Sequence, residues 1–277
     1  MLKKLIAYDF RCTWKLTVTL FVSSFASAII SMICSFVYME MLSNESETAT
    51  LLDLAETFIF LGEQLFLMLS YFCVGAVVLL TVVHYYKKMI SDEAYLTFTL
   101  PATAGQHLFA KLVMGGTWAL ISSLVVFVNT VVMAIPAAIS VTNVLTDEEF
   151  EGAEEIVEEA LTLLDINIVI ATGVLIVIAI IVQLALIYLC LTIGGVIANK
   201  YKAVAGVAIY WFSNSIVTGV IMIVAFLVSA ILTGFMDLPG DWETLVFLYL
   251  ASLIVAGAGA ICFFVNRNLL TKKLNLP

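Results

Sequence analysis

Six charge-free apolar runs dominate the chain, at residues 16–39, 64–83, 112–146, 166–199, 203–236 and 244–266. Each reaches the roughly 20 residues a helix needs to cross the hydrocarbon core of a bilayer. No stretch of about ten residues alternates apolar with polar as a barrel strand does, and open strand edges are not tolerated in lipid. The pattern predicts an all-α polytopic membrane protein with six transmembrane helices, at about 16–39, 61–83, 112–138, 166–198, 203–234 and 244–266. The longest runs must tilt, kink or project beyond the bilayer, and Pro136 predicts a kink or an end in the third helix.

The segments between the runs have patterns of their own. Before the first span, Leu2, Leu5, Ile6, Phe10 and Trp14 recur at spacings of three and four, with Lys3, Lys4, Asp9, Arg11 and Lys15 elsewhere around the helix. That predicts a basic amphipathic helix over residues 1–15, lying at the membrane interface. Arg11 and Lys15 interrupt the early run, so no cleaved leader is expected. A short helix is predicted from Thr50, ahead of the second span. Between the third and fourth spans, Thr146 and Glu149 form a capping box. Phe150, Ala153, Val157, Leu161 and Leu164 then line up opposite nine acids, which predicts an acidic amphipathic helix over 141–165.

Composition agrees with the pattern: the chain is 63% hydrophobic and 12% charged, with a mean hydropathy of +1.12, against roughly 25% charged in soluble domains. Charge placement sets the topology. Of the 12 Lys and Arg, four precede the first span, three lie between the second and third, two between the fourth and fifth, and three follow the sixth. All fall on one side, so both termini are expected in the cytoplasm by the positive-inside rule. Only Asp9, Asp92 and Glu93 of the 21 acids share that side. The net charge of −9 therefore says nothing of nucleic acid, and none is expected as a partner.

Residues 84–111 form the longest basic-flanked interruption, a cytoplasmic loop bounded by His84 and Lys111. Ser91 is placed to cap a helix of about two turns carrying Asp92 and Glu93, which Leu100-Pro101 would end. Thr103 with Gln106 makes a second capping box that starts a helix running through Lys111 into the third span. Asp92, Glu93, Tyr95, Leu96 and Phe98 combine carboxylates with apolar and aromatic surface, the composition of a docking face.

Within the spans the notable polar residues are neutral: Asn129, Gln183 and Asn214. Such amides serve either as helix-to-helix hydrogen bonds, the favoured expectation, or as polar points along a pathway. With no acid, Lys or Arg inside the charge-free runs, a proton-coupled carrier is disfavoured. The sequence has no GxxxxGK[ST], GxSxG or HExxH motif, so no enzyme, cofactor or metal is expected in this chain. Its five cysteines are scattered and are assigned no function.

The segment Leu5-Ile6-Ala7-Tyr8-Asp9-Phe10-Arg11, the six spans, and the loop from Tyr86 to Pro101 together resemble the permease subunits of bacterial ABC-2-type ABC transporters. The resemblance implies that the N-terminal helix and the helix at Asp92 to Phe98 dock on a separate ABC ATPase, two copies of which carry ATP and Mg. It also implies that two permease copies, or one copy and a paralogue, enclose a path in the bacterial cytoplasmic membrane. Small residues at Ser23, Ser24, Ala26, Ser27 and Ala28 suggest the first span, with the second and fifth, for the meeting of two copies. The acidic outer surface and apolar spans suit an amphipathic cationic or antimicrobial-like peptide as cargo. A non-transporting immunity or scaffold protein is the alternative.

Overall fold

In a computed structural model, the described residues are 2–43, 49–91, 93–99, 101–144, 166–198, 200–235 and 240–272. They form seven α-helices: α1 (Leu2–Ser43), α2 (Ala49–Met89), α3 (Ala94–Phe98), α4 (Ala104–Val144), α5 (Ile166–Ile197), α6 (Lys202–Phe235) and α7 (Gly240–Lys272). All but α3 are long and apolar enough to cross a membrane, and no strand occurs among the described residues. The acidic segment at 145–165 lies outside the described residues, as do Asp92 and Leu100.

Several helices outrun the charge-free stretches that revealed them. At 1.5 Å per residue, the 42 residues of α1 extend roughly 60 Å, about twice the thickness of a hydrocarbon core. Its basic N-terminal residues are thus on the same helix as the first span. No glycine or proline occurs between Leu2 and Ser43 to break it. In the same way α2 begins at Ala49, so the expected short helix there is the first part of the second long one. Pro136 does not end α4, which continues to Val144. In lipid, unsatisfied backbone is so costly that helices continue past a proline when neighbours absorb the lost bond.

The interruption expected at 84–111 is shorter than its charges suggested. Residues 84–89 remain in α2 and 104–111 are already in α4, leaving 90–103 as the connection. Ser91 is not a helix cap. Its N–H bonds Tyr86 O at 3.0 Å, so its backbone closes α2, and α3 starts only at Ala94, with Glu93 at the cap position and no side-chain capping bond. α3 is five residues long, about 1.4 turns against the two expected. The second capping box is present in both directions: Gln106 N–H donates to Thr103 Oγ1 at 3.3 Å and Thr103 N–H to Gln106 Oε1 at 3.1 Å.

The chain divides into two compact units, one comprising Met1–Phe10, Thr81–Thr117 and Thr162–Pro277, the other Arg11–Leu80 and Trp118–Leu161. The first is built on a buried cluster of Tyr85, Met89, Ile90, Leu108, Tyr188, Leu191 and Leu270. Tyr85 and Tyr188 stack with ring centroids 4.0 Å apart. The Tyr85 hydroxyl bonds the Thr192 hydroxyl at 2.8 Å and accepts from Asn266 Nδ2 at 3.3 Å, so α2, α5 and α7 are tied by polar groups inside an apolar setting. Gly115 is required beside this stack, because a Cβ there would come within 2.4 Å of Tyr188 Oη.

In the second unit Asn129 Nδ2 donates to Ser24 Oγ and to Ser70 Oγ, both at 2.8 Å, joining α1, α2 and α4. Trp118 Nε1–H donates to Thr13 Oγ1 at 3.0 Å, and Phe21 packs on the same indole. Ser24, Ser27 and Ala28 are buried within the chain. Three of the five small residues expected to meet a second copy are therefore already used, and only Ser23 and Ala26 of that set are exposed.

Candidate functional site

The N-terminal residues and the α2–α4 connection, both singled out by their sequence, come together in the first unit around a cavity of about 520 Å³. From α1 it is lined by Lys4, Leu5, Tyr8 and Asp9, which lie one turn apart on one helix face. The end of α2 and the short α3 supply Lys88, Glu93, Leu96 and Thr97, and the following turn and α4 supply Pro101, Ala102, His107 and Lys111. Its size is within the range of pockets that accept a small molecule or a protruding group of a partner.

At its base is a charged triangle. The buried Asp9 carboxylate accepts from Lys111 Nζ through Oδ1, and His84 Nε2 lies 3.2 Å from that same oxygen and 3.0 Å from Lys111 Nζ. Three helices, α1, α2 and α4, each contribute one corner. Asp9 and Lys111 are nearly completely removed from solvent, and His107, one turn before Lys111, is fully buried. Taking both charges out of water is costly and is offset only because they meet directly. At the mouth the arrangement is different in kind. Lys88 pairs with Glu93 at 2.9 Å, both side chains reaching solvent, and this hydrogen bond holds the Glu93 carboxyl below the usual carboxylate range. Beside it on α3, Tyr95 and Leu96 are more than half exposed.

Of the residues picked out from the sequence, Leu5, Tyr8, Asp9, Glu93 and Leu96 line the cavity. Tyr95 is exposed next to it, Phe10 is half-buried and Arg11 exposed. Asp92 and the Phe98 side chain lie outside what is described. The intramembrane amides do not converge on one place. Asn129 joins the three helices of the second unit, while Gln183 Nε2 donates to Asn214 Oδ1 at 2.9 Å and to the Tyr210 hydroxyl, linking α5 to α6 in the first.

Sequence reasoning passed over His84, His107 and Lys111 as bounds of a loop. A signal was present. His84 and Lys88 are four apart, as are His107 and Lys111, so each pair shares a helix face, with the lysine one turn after the histidine. The charge-free runs contain no acid, lysine or arginine, but the helices that continue them bury an acid and a lysine. Comparisons of the chain with protein-family models, with curated proteins and with solved structures find no match in any of the three.

Proposed function

We propose that this chain is the membrane-spanning subunit of an ATP-driven exporter, coupled to a separate ABC ATPase through α3 and the first turns of α1. The observation that carries it is the convergence of these two segments, 75 or more residues apart in sequence, on one cavity rimmed by the exposed Tyr95 and Leu96 and the Lys88–Glu93 pair. An exposed aromatic and a leucine flanked by charge have the composition of an interface centre and its rim. The resemblance of Tyr86 to Pro101 to the permeases of ABC-2-type transporters gives the partner its identity, and the run of basic residues on one side of the spans puts both termini and α3 in the cytoplasm.

A second copy of the chain completes the path in this scheme. α6 is the span with the least surface buried inside the chain, with Val204, Val207, Trp211, Phe212 and Ile216 all largely exposed. It corresponds to the fifth span, one of the three expected from the sequence to meet a second copy. Cargo is an amphipathic cationic peptide, drawn to the acidic outer segments. A wholly apolar cleft of about 340 Å³, with Phe109, Ile181, Gly259 and Phe263 among its walls, offers a seat for its apolar side.

Reversing the charges that immediately precede α3 tests the coupling. Asp92→Lys with Glu93→Lys replaces attraction by repulsion on the order of several kcal/mol at a docking interface. The expected result is a permease that purifies with unchanged elution and helicity but no longer supports cargo-stimulated ATP hydrolysis. Undiminished stimulation in the double variant would rule out α3 as the coupling element.

A further inference from the structure

We propose that His84 is a proton-binding site whose occupancy decides whether Lys111 stays on Asp9, making the α1–α4 link at the base of the cavity sensitive to acid. One nitrogen carries the inference. His84 Nε2 faces a donor, Lys111 Nζ, at 3.0 Å and an acceptor, Asp9 Oδ1, at 3.2 Å. An imidazole nitrogen bears either a lone pair or a hydrogen. With its lone pair free, Nε2 accepts from the Lys111 ammonium, the imidazole is neutral with its hydrogen on Nδ1, and Lys111 bridges histidine and carboxylate. When a solvent proton binds Nε2, that hydrogen bond breaks, the new N–H donates to Asp9, and two cations stand about 3 Å apart over a single carboxylate. Lys111 keeps its own proton and must withdraw. It already lines the cavity, so the cavity is where it goes.

The surroundings favour a switch over an inert ion pair. His107 on α4 is buried beside Lys111, Lys88 lies one turn from His84 on α2, and Glu93 of α3 interacts electrostatically with His84. His107, Lys88 and Glu93 all line the cavity. The His84 side chain is 12% exposed, more than Asp9 or Lys111. Histidine is the side chain that ordinarily changes charge between about pH 5 and 8. This site does not depend on the exporter reading, and its test needs neither ATPase nor cargo.

With only two histidines in 277 residues, the whole chain in lipid nanodiscs, labelled with ¹⁵N at histidine alone, gives two imidazoles to follow, assigned with His84→Gln. The expected spectrum has an unprotonated Nε2 on His84 at pH 8 and a protonated one on acidification. Lys111→Met, which removes a neighbouring cation, favours the protonated form, and Asp9→Asn, which removes its carboxylate partner, disfavours it. Spin labels carried by non-natural residues at Lys3 on α1 and Phe109 on α4 report the link itself. Their separation should lengthen from pH 8 to pH 5 in the wild type and be pH-independent in His84→Gln, whose amide hydrogen-bonds but takes no proton. An Nε2 that carries hydrogen throughout, a titration indifferent to both substitutions, or a separation that does not respond to pH overturns the proposal.

Discussion

Asp9→Leu is expected to destabilise the protein by about 3–5 kcal/mol, because it leaves the Lys111 ammonium buried without the carboxylate that offsets its desolvation. Lys111 is 3% exposed, so its ammonium depends on the carboxylate rather than on water. Lys111→Met should cost a similar amount, since it strands Asp9. The double variant, Asp9→Leu with Lys111→Met, removes both charges and both desolvation penalties. It should recover most of the loss, so the two effects are far from additive. Thermal unfolding of the detergent-solubilised protein at pH 8, for the two singles and the double, measures this directly. Additive losses would mean that the charges act separately and that the triangle does not hold the three helices together.

The second large effect belongs to a glycine pair where α5 turns into α6. A Cβ on Gly194 would lie 2.4 Å from Gly206 N, 2.6 Å from Gly206 Cα and 2.9 Å from Lys202 O, all backbone atoms that have no rotamer to escape into. One on Gly206 would meet Leu191 Cα at 2.9 Å. Gly194→Ala should therefore cost about 3 kcal/mol, the upper end for an overpacked site, by forcing the two helices apart. Gly219→Ala on α6 is the control. Nothing lies within 4 Å of that position, and alanine is the better helix former by about 1 kcal/mol, so this variant should be neutral or slightly stabilised. Equal behaviour of Gly194→Ala and Gly219→Ala in the same unfolding assay would contradict the close approach.

The number and approximate place of the long helices were legible because a charge-free run of 20 residues has few other fates. Their ends were not. Charge marks where a helix can leave lipid, whereas the end of a helix depends on breakers and caps. With no glycine or proline before Ser43, α1 carries its basic first turns in one piece with its span. The Thr103–Gln106 box could be read from spacing alone because both of its bonds are local. Ser91 misled for the opposite reason: its N–H was already committed to Tyr86 O in the helix before it. At the candidate site, the two segments were each visible, but their junction was not. His84 and Lys111 lie 75 and 102 residues from Asp9, the acid they share, and no local pattern tells which helix faces meet. The neutral amides fared better. Their expected use as helix-to-helix bonds is what Asn129, Gln183 and Asn214 make.

The most direct measurement is photo-crosslinking from α3 in native membranes. A photoreactive residue is placed at Tyr95 or Leu96, both exposed, with Trp211 on α6, equally exposed, as the comparison site. An exporter subunit coupled through α3 predicts an adduct from Tyr95 and Leu96 with a polypeptide that carries a GxxxxGK[ST] nucleotide-binding loop. The adduct should be absent from Trp211 and lost when Asp92 and Glu93 are both replaced by lysine. No such adduct from α3, or the same adduct from Trp211, would contradict coupling to an ATPase at this site.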